Sequence, residues 1–172
     1  MNIAIIAVTK QGEEIASLIG KSFACTFYSK ETVKEQGIRN ITEASFKNNK
    51  AIIFISSTGI AVRTIAPFLK SKTTDPAVIV IDNSMNYVIS LLSGHLGGAN
   101  ELTNELSKIL GAKAIITTAT DNLGIVPPDI IAKSNELTID SMKTCKDIAA
   151  ILVNGGKVAF KDEANIIKIP RG

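Results

Sequence analysis

Ala51-Ile52-Ile53-Phe54-Ile55 followed by Ser56-Ser57-Thr58-Gly59 is a short apolar, largely β-branched run that stops abruptly in small hydroxyl residues and a glycine. Five apolar residues without a helical period read as a strand buried on both faces. The hydroxyl cluster and glycine after it read as the turn into a helix. A helical run does follow: Ala61, Ile65, Phe68 and Leu69 recur at the spacing of one helix face, and Pro67 should kink it or start a second short helix. Upstream, Ile3 to Val8 repeats the strand pattern, Glu13 to Ile19 is helical, and Phe23 to Tyr28 is a second strand. A polar region with Gly37 then leads to a short amphipathic stretch around Ala44 to Phe46.

Downstream, Ala77 to Ile81 is another buried strand, and the turn cluster Asp82 to Asn86 leads to Tyr87 to Leu92. A connection that short can make only a hairpin, so Tyr87–Leu92 is expected to run antiparallel to the strand before it. Residues 93–100 open a helix whose expected buried face is Leu102, Leu106, Ile109 and Leu110, with Gly111 as its stop. Ala114 to Ile116 is a further strand, ending at Thr117-Thr118-Ala119-Thr120-Asp121. Beyond it Pro127-Pro128 sets a turn or helix start, Met142 to Val153 is helical, Gly155-Gly156 is a turn, and Lys157 to Phe160 is a weak strand candidate. The chain stops at Pro170-Arg171-Gly172 without a clear closing element.

Strands alternating with helices imply an α/β, three-layer, mostly parallel sheet with one antiparallel hairpin strand and helices on both faces. The domain expected from this pattern spans residues 1–124, and residues 125–172 read as the start of a further, incomplete region. Nearly half of the 172 residues are apolar, with no Trp, so Ile, Val, Leu and Ala do the packing.

A formal net charge of +3 with no Lys/Arg run excludes a nucleic-acid footprint, though it suits attraction of an acidic small molecule. The apolar N-terminal run is too short to span a membrane and has no basic region before it. Cys25 and Cys145 lie far apart and form no C-x-x-C, so a reducing cytoplasm is the expected setting. With one histidine and no clustered cysteine, no metal site is expected within the chain. The glycine signatures of phosphate loops and dinucleotide folds and the G-x-S-x-G elbow are absent, which disfavours an unrelated phosphate or nucleotide binder.

In mostly parallel sheets ligands bind outside the carboxyl ends of the strands, and that rule picks out loops 56–59, 93–100 and 117–121. Thr58 and Gly59 at a helix start, with Arg63 a turn later, can hold an anion; the plainer alternative is a helix cap with a surface salt bridge. Ser93-Gly94-His95-Leu96-Gly97-Gly98-Ala99-Asn100 packs three glycines around the only histidine. His95 could be a general acid or base, and the glycines could let backbone approach a ligand. Alternatively the histidine packs locally and the glycines fix the turn. Asn100 could grip a ligand or simply bond the preceding loop. Thr118 and Asp121 could bind a ligand, or form a routine turn.

The ordered blocks Thr58-Gly59-Ile60-Ala61-Val62-Arg63, Ile65-Ala66-Pro67, Lys72, Asp75-Pro76-Ala77-Val78 and Val80-Ile81-Asp82 carry more. They continue as Val88-Ile89-Ser90-Leu91-Leu92-Ser93-Gly94-His95-Leu96-Gly97-Gly98-Ala99-Asn100, then Leu110-Gly111-Ala112 and Ile115 to Asp121. This text closely resembles the N-terminal region of the cobalt-precorrin 5A hydrolases, the cobalamin biosynthesis protein G family. Asn83 and Met85 stand where that family often has Glu and Gly, which leaves the hairpin turn type open.

The resemblance implies a hydrolase of oxygen-independent cobalamin synthesis that opens the ring A δ-lactone of cobalt-precorrin 5A. A two-carbon unit leaves as acetaldehyde and cobalt-precorrin 5B remains. It implies no protein cofactor, because cobalt belongs to the substrate macrocycle. It makes His95 the expected catalytic residue, as acid or base. Thr58, Gly59, Arg63, Ser93, Gly94, Gly97, Gly98, Asn100, Thr118 and Asp121 are the expected substrate-binding residues. Loops 56–63 and 93–100 are expected to share one anion-binding rim, with backbone N–H groups near Gly97-Gly98 as oxyanion donors. Family members are usually about twice as long, so their C-terminal domain, expected to be absent here, is an implied partner, and a homodimer stays open. The competing expectation is a non-catalytic corrinoid-binding or inter-domain module.

Overall fold

A computed structural model describes residues 2–165, 167 and 168. The chain divides into two compact units, Met1–Ile116 and Thr117–Gly172, so the first unit ends eight residues before the expected position 124.

The first unit is built on a six-stranded sheet in the order β2-β1-β3-β4-β5-β6. The strands are β1 (Ile3–Ala7), β2 (Cys25–Tyr28), β3 (Ala51–Ile55), β4 (Ala77–Ile81), β5 (Tyr87–Leu92) and β6 (Lys113–Ile115). β1 to β4 are mutually parallel, β5 is antiparallel to β4, and β6 is parallel to β5. Every residue of β1, β3 and β4 is buried, because helices cover both faces and leave no polar side to the alternation.

On one face Ile3, Ile5, Ile53, Ile55 and Ile79 pack with Ile15 and Ile19 of α1 (Lys10–Gly20) and with Leu102 and Leu106 of α5 (Ala99–Leu110). On the other, Ile6, Ile52, Phe54, Val78 and Val80 meet Ile41 of α3 (Ile38–Asn48) and Ala61 and Ile65 of α4 (Thr58–Ile65). Each buried Ile contributes about 1.5–3 kcal/mol relative to leaving it in water. The fold is thus the expected three-layer α/β sheet with one antiparallel pair.

Local differences have local causes. α2 (Lys30–Gln36) was not expected: it buries no residue, and Ser29 caps it by accepting from Thr32 N–H. The run after β3 ends as a helix at Ile65 and continues as a 3-10 turn, Ala66–Phe68, around Pro67; Leu69, expected on the buried face, is exposed. Ile109 is also exposed, because Leu102 and Leu106 already meet the sheet and Leu110 is only partly buried. Gly111 ends α5 in the left-handed conformation, as expected. Met85 takes a φ of +54° in the hairpin turn.

β5 has a bulge. Register moves from Ile79↔Ser90 to Val78↔Leu92, leaving Leu91 as the extra residue. Ile89, Leu91 and Leu92 therefore all pack on the α3/α4 face, although 91 and 92 are consecutive.

In the second unit, α6 (Ala119–Asn122) is followed by α7 (Pro128–Ser134), which begins at the proline pair, and by α8 (Met142–Val153) with its Ser141 cap. Lys157 to Phe160, expected as a strand, pairs with nothing among the described residues. Pro170-Arg171-Gly172 lies outside the described residues.

Candidate functional site

The sheet has two edges with different chemistry. The crossovers from β1 go to β2 on one side and, from β2, back over β1 to β3 on the other. The chain reverses its direction of growth between β1 and β3, and the crevice of such a sheet lies outside the C-terminal ends of those strands. At that edge stand Thr9, Ser56, Ser57, Thr58 and Gly59. Thr9 Oγ1 accepts from Gly12 N–H at 3.0 Å and donates to Asn83 Oδ1 in the β4–β5 turn at 2.9 Å. A Cβ on Gly12 would lie 3.1 Å from Ile55 Cγ2 and 3.2 Å from Thr9 Oγ1, so α1 packs close to the strand end. Arg63, exposed, turns back over Gly59 and donates from Nη1 to its carbonyl at 3.2 Å. Thr58, Gly59 and Arg63 are therefore brought together. Thr9 and Asn83 join that edge without having been expected; a Thr three residues before a Gly after the first strand was the signal.

Loop 93–98 lies at the opposite edge. β5 runs against β4, so Leu92 pairs with Val78 at the start of β4, and the chain leaves β5 beside the N-terminal ends of β3 and β4. Ser93 Oγ donates to the Asp75 carbonyl at 3.0 Å, just before β4 begins. The expected single rim of loops 56–63 and 93–100 does not form: the length of β4, about 15 Å, separates them. A hairpin inverts which end of a strand is its carboxyl end. β6, parallel to β5, runs toward the same edge as loop 93–98 and ends with Ile115 opposite Ile89.

Loop 93–100 is folded upon itself. Ala99 N–H donates to Ser93 O at 3.2 Å, Asn100 N–H to Gly94 O at 3.1 Å, and Gly98 N–H to His95 O at 3.0 Å. The Gly98 N–H is thus bound within the loop, not presented as an oxyanion donor. A Cβ on Gly97 would sit 2.4 Å from Ser93 Cβ and 2.6 Å from Ser93 O, and one on Gly94 would sit 2.7 Å from Asn100 Oδ1. Both glycines permit the loop's own segments to touch. Gly98 adds a φ of +83°, and Ser93 a φ of +57°. Asn100 is buried, and its Oδ1 accepts from Ser90 Oγ at 2.6 Å, which clasps α5 to β5. This frame holds His95, half-buried, at the sheet edge.

Asp75 is buried, and its carboxylate accepts from Lys70 N–H at 3.2 and 3.0 Å and from Ser71 N–H at 3.1 Å. It orders the 70–75 turn, the capping role its position before Pro76 suggests. In the second unit, half-buried Thr118 precedes α6 as its cap residue and exposed Asp121 lies in its first turn. Among the described residues no three His, Cys, Asp or Glu side chains cluster as metal ligands. Neither Cys25 nor Cys145 forms a disulfide, and burial raises the pKa of Cys25.

Comparison with known proteins places this geometry. The Cobalamin synthesis G N-terminal family matches residues 40–121, which contain β3, β4, β5, α5 and both edge loops. A cobalt-precorrin-5A hydrolase of Priestia megaterium is 39% identical over 94% of this chain and 46% of its own length. One from Salmonella typhimurium is 36% identical over 96% of this chain and 49% of its own. The crystal structure of a cobalamin biosynthesis protein G homolog from Sulfolobus solfataricus superposes with a TM-score of 0.57 at 29% identity, covering 97% of this chain and 52% of that one. The chain spans about half the length of the curated relatives it matches. On the blocks from Thr58 to Asp121 and on these similarities, residues 40–121 of the chain belong to the Cobalamin synthesis G N-terminal family.

Proposed function

We propose that this chain is the N-terminal part of a cobalt-precorrin-5A hydrolase, with the chemistry at the His95 edge. The observation that carries the reading is the similarity to the hydrolases of two organisms over nearly all of the chain. The folded loop that fixes His95 at the end of β5 supplies the chemical group.

The reaction adds water across the ring A lactone. His95 takes a proton from the attacking water, the oxygen adds to the lactone carbonyl, and the ring C–O bond breaks. The same imidazole, now protonated, returns the proton to the leaving alkoxide. The freed alcohol then fragments: its O–H proton leaves, the carbonyl of acetaldehyde forms, and the C–C bonding electrons stay with the macrocycle. Cobalt stays with the substrate throughout. The Gly98 N–H, bound to His95 O, is committed within the loop and is not the oxyanion donor. Thr58, Gly59 and Arg63 take no part in this step, since they stand at the far edge of the sheet.

The reading brings with it a cytoplasmic, oxygen-independent pathway and, as partner, the C-terminal half that the relatives carry. Cys25 and Cys145, joined in no disulfide, suit that setting. No helix among the described residues is long and apolar enough to cross a membrane. The test is anaerobic incubation with cobalt-precorrin 5A, scoring acetaldehyde and the corrinoid absorbance. Acetaldehyde from the parent chain that falls roughly a hundredfold or more in His95→Ala, with an unchanged circular dichroism spectrum, supports the assignment. Near-parental turnover in His95→Ala removes it, and binding without acetaldehyde makes the chain a substrate-gripping module.

A further inference from the structure

Beside the His95 edge, between α3 and the 66–76 segment, runs a groove of about 330 Å³. Its apolar lining comes from Phe46, Pro67, Phe68 and Pro76, and the Phe46 and Phe68 rings lie 5.9 Å apart. Lys70 stands on its rim, and Lys72, exposed, lies in the same turn. Lys50 flanks the same edge: its carbonyl accepts from Ala77 N–H at 3.0 Å, at the start of β4. The groove's own acids are committed. Glu43 is paired with Lys47 at 2.7 Å, and the Asp75 carboxylate is taken by the Lys70 and Ser71 main chain. Lys50, Lys70 and Lys72 form no ion pair among the described residues.

Asp75 joins the groove to the histidine loop: its carboxylate orders the Lys70 turn while its carbonyl holds Ser93 Oγ at 3.0 Å. An apolar trough rimmed by unpaired cations fits a ligand with an apolar body and a fringe of carboxylates. We propose that this groove seats the carboxylate-bearing rim of the macrocycle, with Lys70 and Lys72 holding its acetate or propionate groups. The proposal rests on the hydrolase reading for its ligand. It replaces Arg63, at the far edge, as the anion-binding element of the His95 site.

The test uses the whole chain and two probes: a cobalt corrinoid with free acetate and propionate side chains, and the same corrinoid with those groups as methyl esters. Binding is followed by absorbance titration, with circular dichroism as the folding control. The expected result is binding of the free acid but not of the ester, weakening with added salt. The Lys70→Ala/Lys72→Ala double variant should bind roughly tenfold more weakly, and Arg63→Ala as the parent does. Equal binding of acid and ester would overturn the role of the lysines. So would a loss in Arg63→Ala with none in the lysine variant; the hydrolase reading would survive both results. A parent chain that binds neither probe would remove the proposal, whereas binding without acetaldehyde from the true substrate would strike only the catalytic reading.

Discussion

Replacing Gly97 by Ala tests whether the glycines of the histidine loop serve the loop itself. The new methyl would meet Ser93 Cβ at 2.4 Å and Ser93 O at 2.6 Å. Carbon atoms in contact normally rest about 3.5–4.0 Å apart, so more than an ångström of overlap must be relieved. Neither obstacle is the free end of a flexible side chain. Displacing Ser93 would strain its bonds to Ala99 N–H at 3.2 Å and to the Asp75 carbonyl at 3.0 Å. Overpacking costs about 1–3 kcal/mol and each weakened hydrogen bond about 1 kcal/mol, so a loss of about 3 kcal/mol is expected. With an unfolding entropy of about 2.1 cal/mol/K per residue over the sheet unit, that corresponds to a fall in Tm of roughly 10 °C. Thermal unfolding followed by far-ultraviolet circular dichroism reads it. Gly20→Ala is the control, since a Cβ there meets nothing within 4 Å and the site is helical; it should stabilise by about 0.5–1 kcal/mol. A Gly97→Ala protein melting within about 2 °C of the parent would refute the packing argument.

Thr9→Ala should cost about 1–2 kcal/mol in urea unfolding, because it removes the α1 cap and the bond to Asn83. A double-mutant cycle with Asn83→Ala should show coupling between the two sites. Burial raises the Cys25 pKa, so its alkylation by iodoacetamide at about pH 8 should be slower than that of a small free thiol and should accelerate as pH rises. The hydrogen bond from Lys47, with its charge and that of Arg39, holds Glu43 below its ordinary 4.5. Such a depressed carboxyl favours the folded state above its unfolded pKa, and the benefit disappears as pH falls through its folded value. NMR titration should place Glu43 lower than in Lys47→Ala, and equal values would dismiss the pair.

The fold was legible wherever the sequence faced a single environment. Ala51–Ile55 and Ala77–Ile81 have the boundaries their apolar runs imply, since both faces are covered and no polar residue interrupts them. α2 escaped because Lys30–Gln36 buries nothing and so leaves no period to detect. Lys157–Phe160 has strand composition but no partner strand among the described residues, and composition alone does not make a ladder. At the candidate site, the residue types of loop 93–100 were visible. The use of its glycines was not, because the contacts of Gly94 and Gly97 span the loop and depend on its closed shape. The separation of the two edge loops could have been drawn from the hairpin. A strand entered by a short turn travels the other way, and the rule about carboxyl ends must be applied with its direction.

The bulge at Leu91 makes the position of the histidine loop a matter of parity. Up to Ser90 the strand alternates, Val88 and Ser90 toward α5 and Ile89 toward α3 and α4, and after the bulge the phase is reversed. Ser93 reaches the Asp75 carbonyl from this shifted phase. Deleting Leu91 would restore plain alternation and leave Leu92 paired with Val78, so the loop would keep its side of the sheet, while deleting a second residue would swing the loop to the other side and take His95 with it. Loss of the one bulge residue should therefore be tolerated better than loss of two residues from this strand.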